Sequence, residues 1–210
     1  MNRGARRATL FHSPGDFAAF VNVMVEAAAR VPMRLIAFSL MPNHWHMVLW
    51  PLDDTGLTRY VGWLSLTHAC RWQWVHDTRG VGHVYQGRFK AIPIETNRYF
   101  ITVCRYVERN AVRAGLVKRA RDWPWSSASE HPGAPMPVLA DWPVPRPPGW
   151  SELLEEPQAE ADVDHVRGCI ARSAPMGDDA WCEAVATTLG WTTGLRPAGR
   201  PPRGTKPSPG

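Results

Sequence analysis

Two histidines flank a tryptophan at His44, Trp45 and His46, within an apolar run that ends at Trp50. Successive side chains of a β-strand point to opposite faces of the sheet, so residues two apart project together. If this run is a strand, both imidazoles lie on one face and Trp45 lies on the other. A neutral imidazole is a common metal ligand, and two of them on a rigid strand could hold a divalent cation.

The segment from Asn97 to Ala111 is the second candidate for chemistry. It is predicted to form a helix because four apolar residues recur at helical spacing, namely Phe100, Cys104, Val107 and Ala111. The neighbouring polar face carries Tyr106 and Asn110, which are adjacent on a helix because they are four residues apart. A tyrosine hydroxyl can attack a DNA phosphate and form a phosphotyrosine intermediate. The amide oxygen of Asn110 could join His44 and His46 as a third metal ligand.

A ligand set of two imidazoles and one amide oxygen, with open coordination positions, suits Mg²⁺ or Mn²⁺ in catalysis better than structural zinc. Such a metal would polarise a scissile phosphate and stabilise its developing charge. Arg105, Arg109 and Arg113 lie on the same helical segment and are candidates for contacts with phosphate oxygens. Tyr99 is the alternative nucleophile, but only Tyr106 is followed by an amide four residues later.

Hydrophobic periodicity and turn signals predict the elements that position these residues. In chain order they are a helix over 16–31, strands over 34–40 and 44–50, a helix over 57–75, a strand within 83–95 and the tyrosine helix. This order predicts an α+β fold with helices on an antiparallel sheet. Gln86, Arg88 and Lys90 alternate along the last strand, as side chains that follow a phosphate backbone would. A solvated strand face explains that pattern equally well.

The composition indicates one main domain and a basic surface. Of the 210 residues 44% are hydrophobic, and residues 1–130 hold 17 Lys and Arg against 9 Asp and Glu, whereas residues 131–210 hold 7 against 10. A basic surface around the histidines suits a polyanion such as nucleic acid. No apolar run approaches the roughly 20 residues that span a bilayer, and no signal sequence follows the start. We therefore expect a cytoplasmic, nucleoid-associated protein with no membrane partner, and free thiols at its four scattered cysteines.

The histidine pair with Tyr106 and Asn110 downstream resembles the HUH single-tyrosine transposases, and most closely the branch called REP-associated tyrosine transposases. Residues 41–43, 82–90 and 106–117 also resemble that family. The resemblance implies a ferredoxin-like antiparallel sheet with helices on one face. It also implies metal-dependent cleavage and joining of single-stranded DNA at hairpin-forming repeats, through a covalent 5′-phosphotyrosine. His44, His46 and Asn110 would be the metal ligands and Tyr106 the nucleophile, in a monomer or homodimer.

Four segments are predicted from these patterns. They are an HUH transposase-like catalytic domain over 1–130, a proline-rich and then acidic linker over 131–164, a small helical extension over 165–191, and a basic disordered tail over 192–210. Arg200 lies in the tail, where a flexible arginine could enter a narrow A·T-rich minor groove. A basic tail without specificity is an equally good interpretation.

The start of the chain differs from the family pattern. Members normally have a strand before the Asn-Arg-Gly segment, whereas Met1 directly precedes Asn2 here. That strand sits beside the histidine strand, so we expect it to be missing or truncated and the metal strand to be poorly held. Either the true start lies upstream, and an extended chain would melt at a higher temperature, or catalysis is impaired and the protein only binds hairpin DNA. A metal-dependent enzyme unrelated to DNA is disfavoured by the basic surface.

Overall fold

The computed structural model describes residues 1–131 and 136–191. Strands and helices of the sheet layer come first: β1 (Asn2–Arg3), α1 (Pro14–Arg30), β2 (Met33–Met41), β3 (His44–Pro51), α2 (Gly56–Val75), α3 (Arg98–Glu108) and α4 (Asn110–Arg113). Three further helices follow, which are α5 (Trp150–Glu155), α6 (Glu160–Arg172) and α7 (Asp179–Thr188). The α+β class predicted from the sequence is confirmed.

The sheet is antiparallel with the strand order β1-β3-β2. β2 and β3 form a hairpin in which Met41 lies opposite His44 and Ser39 lies opposite His46. β1 pairs with the other edge of β3, where Asn2 and Arg3 lie opposite Trp45 and His44. The expected strand beside the histidines is therefore present as two residues. Within the described ranges, no other strand residue pairs with that edge of β3.

The strand predicted within residues 83–95 is not a regular strand. The segment runs beside β1 and forms one isolated bridge there, between Gly4 and Tyr85. The backbone N–H of Gln86 donates to the Arg3 carbonyl at 2.8 Å, and that of Lys90 donates to the Met1 carbonyl at 2.9 Å. A continuous ladder needs a partner strand of similar length, and β1 offers two residues. The prediction was wrong for this reason, although the segment does occupy the sheet edge.

Hydrophobic cores cover both faces of the sheet. Helices α1 and α2 pack on one face, where Phe20, Trp45 and Leu64 are buried. Helix α3 packs on the other face, where Val48 and Cys104 are buried. Seven consecutive residues at the end of β2 are buried, a pattern typical of a strand covered on both sides. The structure differs here from the expectation of helices on one face only.

The C-terminal helices extend the second core. Trp150, Leu154 and Val163 are buried beside α3, so the segment predicted as a linker contains α5 and the start of α6, which pack on this core. Helix α7 begins after Asp178, whose side chain accepts a hydrogen bond from the Trp181 N–H at 2.8 Å. The four cysteines are free. Among the helices of the described ranges, none is long and apolar enough to cross a membrane. The predicted tail, with Arg200, lies outside the described residues.

Candidate active site

Strand β3 presents both histidines to α3. The ring centroids of His44 and His46 are 5.2 Å apart and their planes are nearly perpendicular, whereas Trp45 points into the opposite core. Pairing with β1 and β2 fixes the backbone of these residues. The alternation of side chains along the strand therefore brings the two imidazoles together, as expected from the sequence.

Both imidazoles are held in the neutral form. Burial, assisted by the positive charge of Arg3, lowers the pKa of His44 to about 4. Burial also lowers the pKa of His46 well below its ordinary value. The Oδ1 of Asn43 lies 2.7 Å from the Nδ1 of His44, while the Nδ2 of Asn43 donates to the Arg7 carbonyl. Since that oxygen can only accept, Nδ1 of His44 carries the proton, and Nε2 keeps the lone pair that a metal requires.

Helix α3 brings Tyr106 to the histidines. The ring centroids of Tyr106 and His46 are 5.7 Å apart. Tyr99, the alternative nucleophile, lies instead against His165, with ring centroids 5.9 Å apart, and its hydroxyl accepts a hydrogen bond from Arg98. The position of the phenol beside the histidines therefore favours Tyr106 over Tyr99.

Asn110 and Arg113 follow Tyr106 on the short helix α4. The guanidinium carbon of Arg113 lies 3.9 Å from the centroid of the Tyr106 ring. Its Nη2 donates to the Tyr106 carbonyl at 2.6 Å and to the Asn110 Oδ1 at 3.2 Å. Burial lowers the pKa of Arg113 to about 10, which leaves the group cationic at neutral pH. Arg113 thus fixes both the nucleophile and the candidate amide ligand.

These residues line one cavity of about 730 Å³. Its described lining includes five cationic side chains and no carboxylate; the cations are Arg3, Arg88, Lys90, Arg113 and Arg167. Gln86 lies in the same wall. Three buried donors of lining residues lack a hydrogen-bond acceptor in the described part of the chain: Arg3 Nε, Asn110 Nδ2 and Arg113 Nη1. Unsatisfied donors and excess positive charge suit an anionic ligand such as a phosphodiester.

The same residues fit a divalent metal. Two neutral imidazoles face one cavity, and the carbonyl oxygen of Asn110 keeps a lone pair after it accepts from Arg113. Within residues 1–131 and 136–191 there is no group of three or more His, Cys, Asp or Glu side chains that could hold a metal. Asn110, which lines the same cavity beside Tyr106, is the candidate for a third protein ligand.

Comparison with known proteins decides the family. The model of the family described as "Transposase IS200 like" matches residues 2–110, which contain both histidines, Tyr106 and Asn110. This chain belongs to the IS200-like transposase family.

Two individual proteins resemble this family member. One is the REP-associated tyrosine transposase of Escherichia coli (strain K12), which is 29% identical over 103 residues; the match covers 46% of this chain and 54% of that protein. The chain thus spans about half the length of this curated relative. The other is a solved structure described as a REP-associated tyrosine transposase bound to a REP hairpin. It covers 66% of this chain and 89% of that one, at 17% identity and a TM-score of 0.47.

Two of the predicted DNA contacts lie elsewhere in this IS200-like transposase. Nη2 of Arg105 donates to the carbonyls of Leu153 and Glu156 at 2.8 and 2.9 Å, and Arg109 donates to the Leu154 carbonyl. These bonds satisfy carbonyl groups at the end of α5. Arg105 and Arg109 are not among the residues that line the cavity with Tyr106, because a segment that was interpreted as a linker covers them.

Gln86, Arg88 and Lys90 do reach the cavity, but on the irregular segment beside β1. The Nζ of Lys90 donates to the carbonyls of Ile170 and Ala171 at 3.3 and 3.0 Å, in the last turn of α6. Lys90 therefore joins the sheet edge to α6.

Sequence reasoning missed several residues of the site, among them Arg3, which lines the cavity from β1. Asn43 orients His44, and an amide next to a ligand histidine is a signal that could have identified it. Arg167 enters the cavity from α6. No spacing rule places α6 against Tyr106, since the contact depends on how the C-terminal helices fold back over α3.

Proposed function

We propose that this protein is a metal-dependent single-stranded DNA endonuclease and strand transferase that acts at hairpin-forming repeats. The observation that carries the proposal is the meeting of Tyr106 with His46, at 5.7 Å between ring centroids, in a cavity lined by cations and unsatisfied donors. Membership of the IS200-like transposase family supports the same chemistry.

The reaction is a phosphoryl transfer to tyrosine. The Tyr106 hydroxyl oxygen attacks the phosphorus of a single-stranded phosphodiester and forms a phosphorus–oxygen bond. The bond to the 3′ oxygen breaks, the hydroxyl proton is lost, and the departing oxygen takes up a proton. The products are a covalent 5′-phosphotyrosine and a free 3′-OH. Attack by another 3′-OH reverses these steps and joins the strands.

The chain's own residues orient and stabilise this step. His44, His46 and Asn110 would hold Mg²⁺ or Mn²⁺, which supplies polarisation of the scissile phosphate when bound. Arg113 stacks on the Tyr106 ring and lines the cavity, and its Nη1 has no acceptor in the described part of the chain. In the proposed complex this guanidinium binds a phosphate oxygen.

Hairpin DNA is the proposed substrate. The curated relative is named a REP-associated tyrosine transposase, and the transposases that the sequence motifs resemble act at hairpin-forming repeats. Gln86, Arg88 and Lys90 contact the DNA backbone beside the reacting phosphate. The acting species is a monomer or a homodimer.

The test is the formation of a covalent adduct. Purified protein is incubated with labelled repeat hairpins that carry single-stranded arms, with Mg²⁺, Mn²⁺ or EDTA, and is resolved on a denaturing gel. The expected result is a DNA-linked band that requires metal, disappears in Tyr106→Phe and persists in Tyr99→Phe. Failure of every host hairpin to give an adduct, with Tyr106→Phe behaving as the wild type, would contradict the proposal. Metal-independent hairpin binding without cleavage would favour a DNA-binding protein, the alternative suggested by the two-residue β1.

A further inference from the structure

Helix α6 closes one side of the catalytic cavity. Arg167, Ile170 and Ala171 of this helix belong to the cavity lining, although α6 lies beyond the family-matched residues 2–110. The helix is firmly attached, because Val166 and Cys169 are buried in the second core. Lys90 adds hydrogen bonds to its last turn. The C-terminal helices are therefore part of the site's wall.

We propose that Arg167 forms a phosphate-binding subsite with Arg113 and Arg3, so that helix α6 supplies a contact to the single strand held at Tyr106. The inference rests on the proposed function and extends it, since it assigns a DNA-binding role to a segment outside the family match.

Unsatisfied donors provide the first argument. Arg3 Nε and Arg113 Nη1 are buried without an acceptor in the described part of the chain, and both residues line the cavity. A buried donor without a partner costs about 1–3 kcal/mol, and more when the group is charged. A phosphodiester offers the oxygen acceptors that these guanidinium groups lack, and arginine binds phosphate with a fork of donors.

Charge provides the second argument. Arg167 lines the same cavity as Arg113 and Arg3, and the described lining holds no carboxylate that would neutralise them. Guanidinium groups that share a cavity repel each other, and an anion between them removes that cost.

Arg167 is also available to bind. Within residues 1–131 and 136–191, Arg167 makes one ion pair, with Asp164 at 3.6 Å, and both side chains are more than half exposed. Exposed ion pairs of this kind contribute little to stability. The guanidinium can therefore turn from Asp164 towards a phosphate with a small loss of free energy. Arg172 lies on the same helix and is exposed, but it does not line the cavity. It is a matched control for the loss of one positive charge from α6.

The experiment measures DNA binding in the full chain. The wild type is first tested for adduct formation with a repeat hairpin and Mn²⁺. Arg167→Ala, Arg167→Lys and Arg172→Ala are then prepared in a Tyr106→Phe background, checked by thermal melting, and titrated against a hairpin with a single-stranded arm by fluorescence anisotropy at several salt concentrations.

Arg167→Ala is expected to weaken binding about tenfold, the effect of losing one charged hydrogen-bonding group. It should also reduce the slope of log affinity against log salt by about 0.7. Arg167→Lys should keep the slope and recover part of the affinity, and Arg172→Ala should change neither. Equal binding of Arg167→Ala and Arg172→Ala, in a protein whose wild type forms the adduct, would overturn this inference alone. Absence of any wild-type adduct would instead overturn the proposed function.

Discussion

Histidines lie on both sides of strand β3 in opposite circumstances: His68 of α2 packs on one side, and His44 and His46 of β3 itself lie on the other. On one face, Trp45 Nε1 donates to the Tyr85 hydroxyl at 3.2 Å, and that hydroxyl lies 2.7 Å from the Nδ1 of His68. On the other face, His44 and His46 border the cavity. Burial lowers the pKa of His68 to about 4, as it does for His44. A depressed histidine pKa therefore does not separate a structural histidine from a candidate ligand.

The polar groups around the histidines distinguish the structural histidine from the candidate metal ligands. The polar groups around Trp45 satisfy one another, whereas three donors that line the cavity have no acceptor in the described part of the chain. Unsatisfied buried donors also occur away from the cavity, as at Arg105 Nε and Arg109 Nε, so their coincidence with five cationic side chains in one cavity is what favours an anionic ligand there. The comparison predicts that substitutions on the cavity face reduce catalysis, while substitutions on the Trp45 face reduce stability.

The largest expected difference is in the rate of adduct formation between a variant of a candidate metal ligand and a variant of the structural histidine. His46→Ala should slow metal-dependent adduct formation by about 100-fold or more, because it removes a metal ligand and not merely an outer partner of one. His68→Ala should lower the melting temperature but leave the adduct rate per folded molecule within about threefold. The check is a time course of adduct formation, normalised to the folded fraction from circular dichroism. Similar loss in both variants would show that the two faces do not differ as proposed.

Arginines of the tyrosine helix offer the next contrast. Arg113→Lys should slow adduct formation about tenfold, because lysine keeps the charge but loses the planar fork that binds phosphate. Arg105→Lys should leave the rate unchanged, since Arg105 holds carbonyls at the end of α5. Initial rates at fixed Mn²⁺ would distinguish them. A slower reaction in Arg105→Lys than in Arg113→Lys would restore a DNA-binding role for Arg105.

On the Trp45 face, Tyr85→Phe should destabilise the fold by about 1–3 kcal/mol, because it leaves the Trp45 and His68 nitrogens without their shared partner. Tyr60→Phe is the matched control, since among the residues that the structure describes the Tyr60 hydroxyl makes one hydrogen bond, which it donates to the Met24 carbonyl at 3.3 Å. Tyr60→Phe should lower the free energy of unfolding by about 1 kcal/mol or less. Urea denaturation measures both. A larger loss for Tyr60→Phe than for Tyr85→Phe would argue against a cooperative network at Trp45.

The smallest effect concerns Glu108, on the side of α3 that faces Trp150. Its carboxylate accepts from Ser127 Oγ at 2.6 Å and from Trp150 Nε1 at 2.7 Å, and burial raises its pKa above the ordinary 4.5. The folded protein therefore holds this proton more tightly than the unfolded chain does, and stability falls as the pH rises from about 4.5 through the raised folded value.

The predicted direction of this pH dependence of stability is tested with Glu108→Gln, because glutamine cannot ionise. The free energy of unfolding of the wild type, minus that of Glu108→Gln, should decrease between pH 4.5 and pH 7.5. Thermal melts of both proteins across this range give the difference. A difference that increases with pH would mean that hydrogen bonds to the carboxylate outweigh its burial.

The spacing of residues along the sequence predicted which side chains share a face of one strand or one helix. The alternation of His44, Trp45 and His46 gives the two faces of β3, and the four-residue spacing of Tyr106 and Asn110 places both in the cavity. What local patterns could not supply is contact between distant segments. The short β1 left residues 83–95 without a ladder to join, and the return of α5 over α3 redirected Arg105 and Arg109. Arg167 was missed for the same reason.

The most direct measurement of the central claim is the identity of the residue that becomes linked to DNA. The covalent complex formed with a repeat hairpin and Mn²⁺ is digested with protease and nuclease, and the nucleotide-bearing peptide is sequenced by mass spectrometry. We predict a phosphotyrosine at Tyr106, formed with metal and absent after EDTA. A modification at Tyr99, or an adduct of equal yield without metal, would contradict the role assigned to the histidine face of β3.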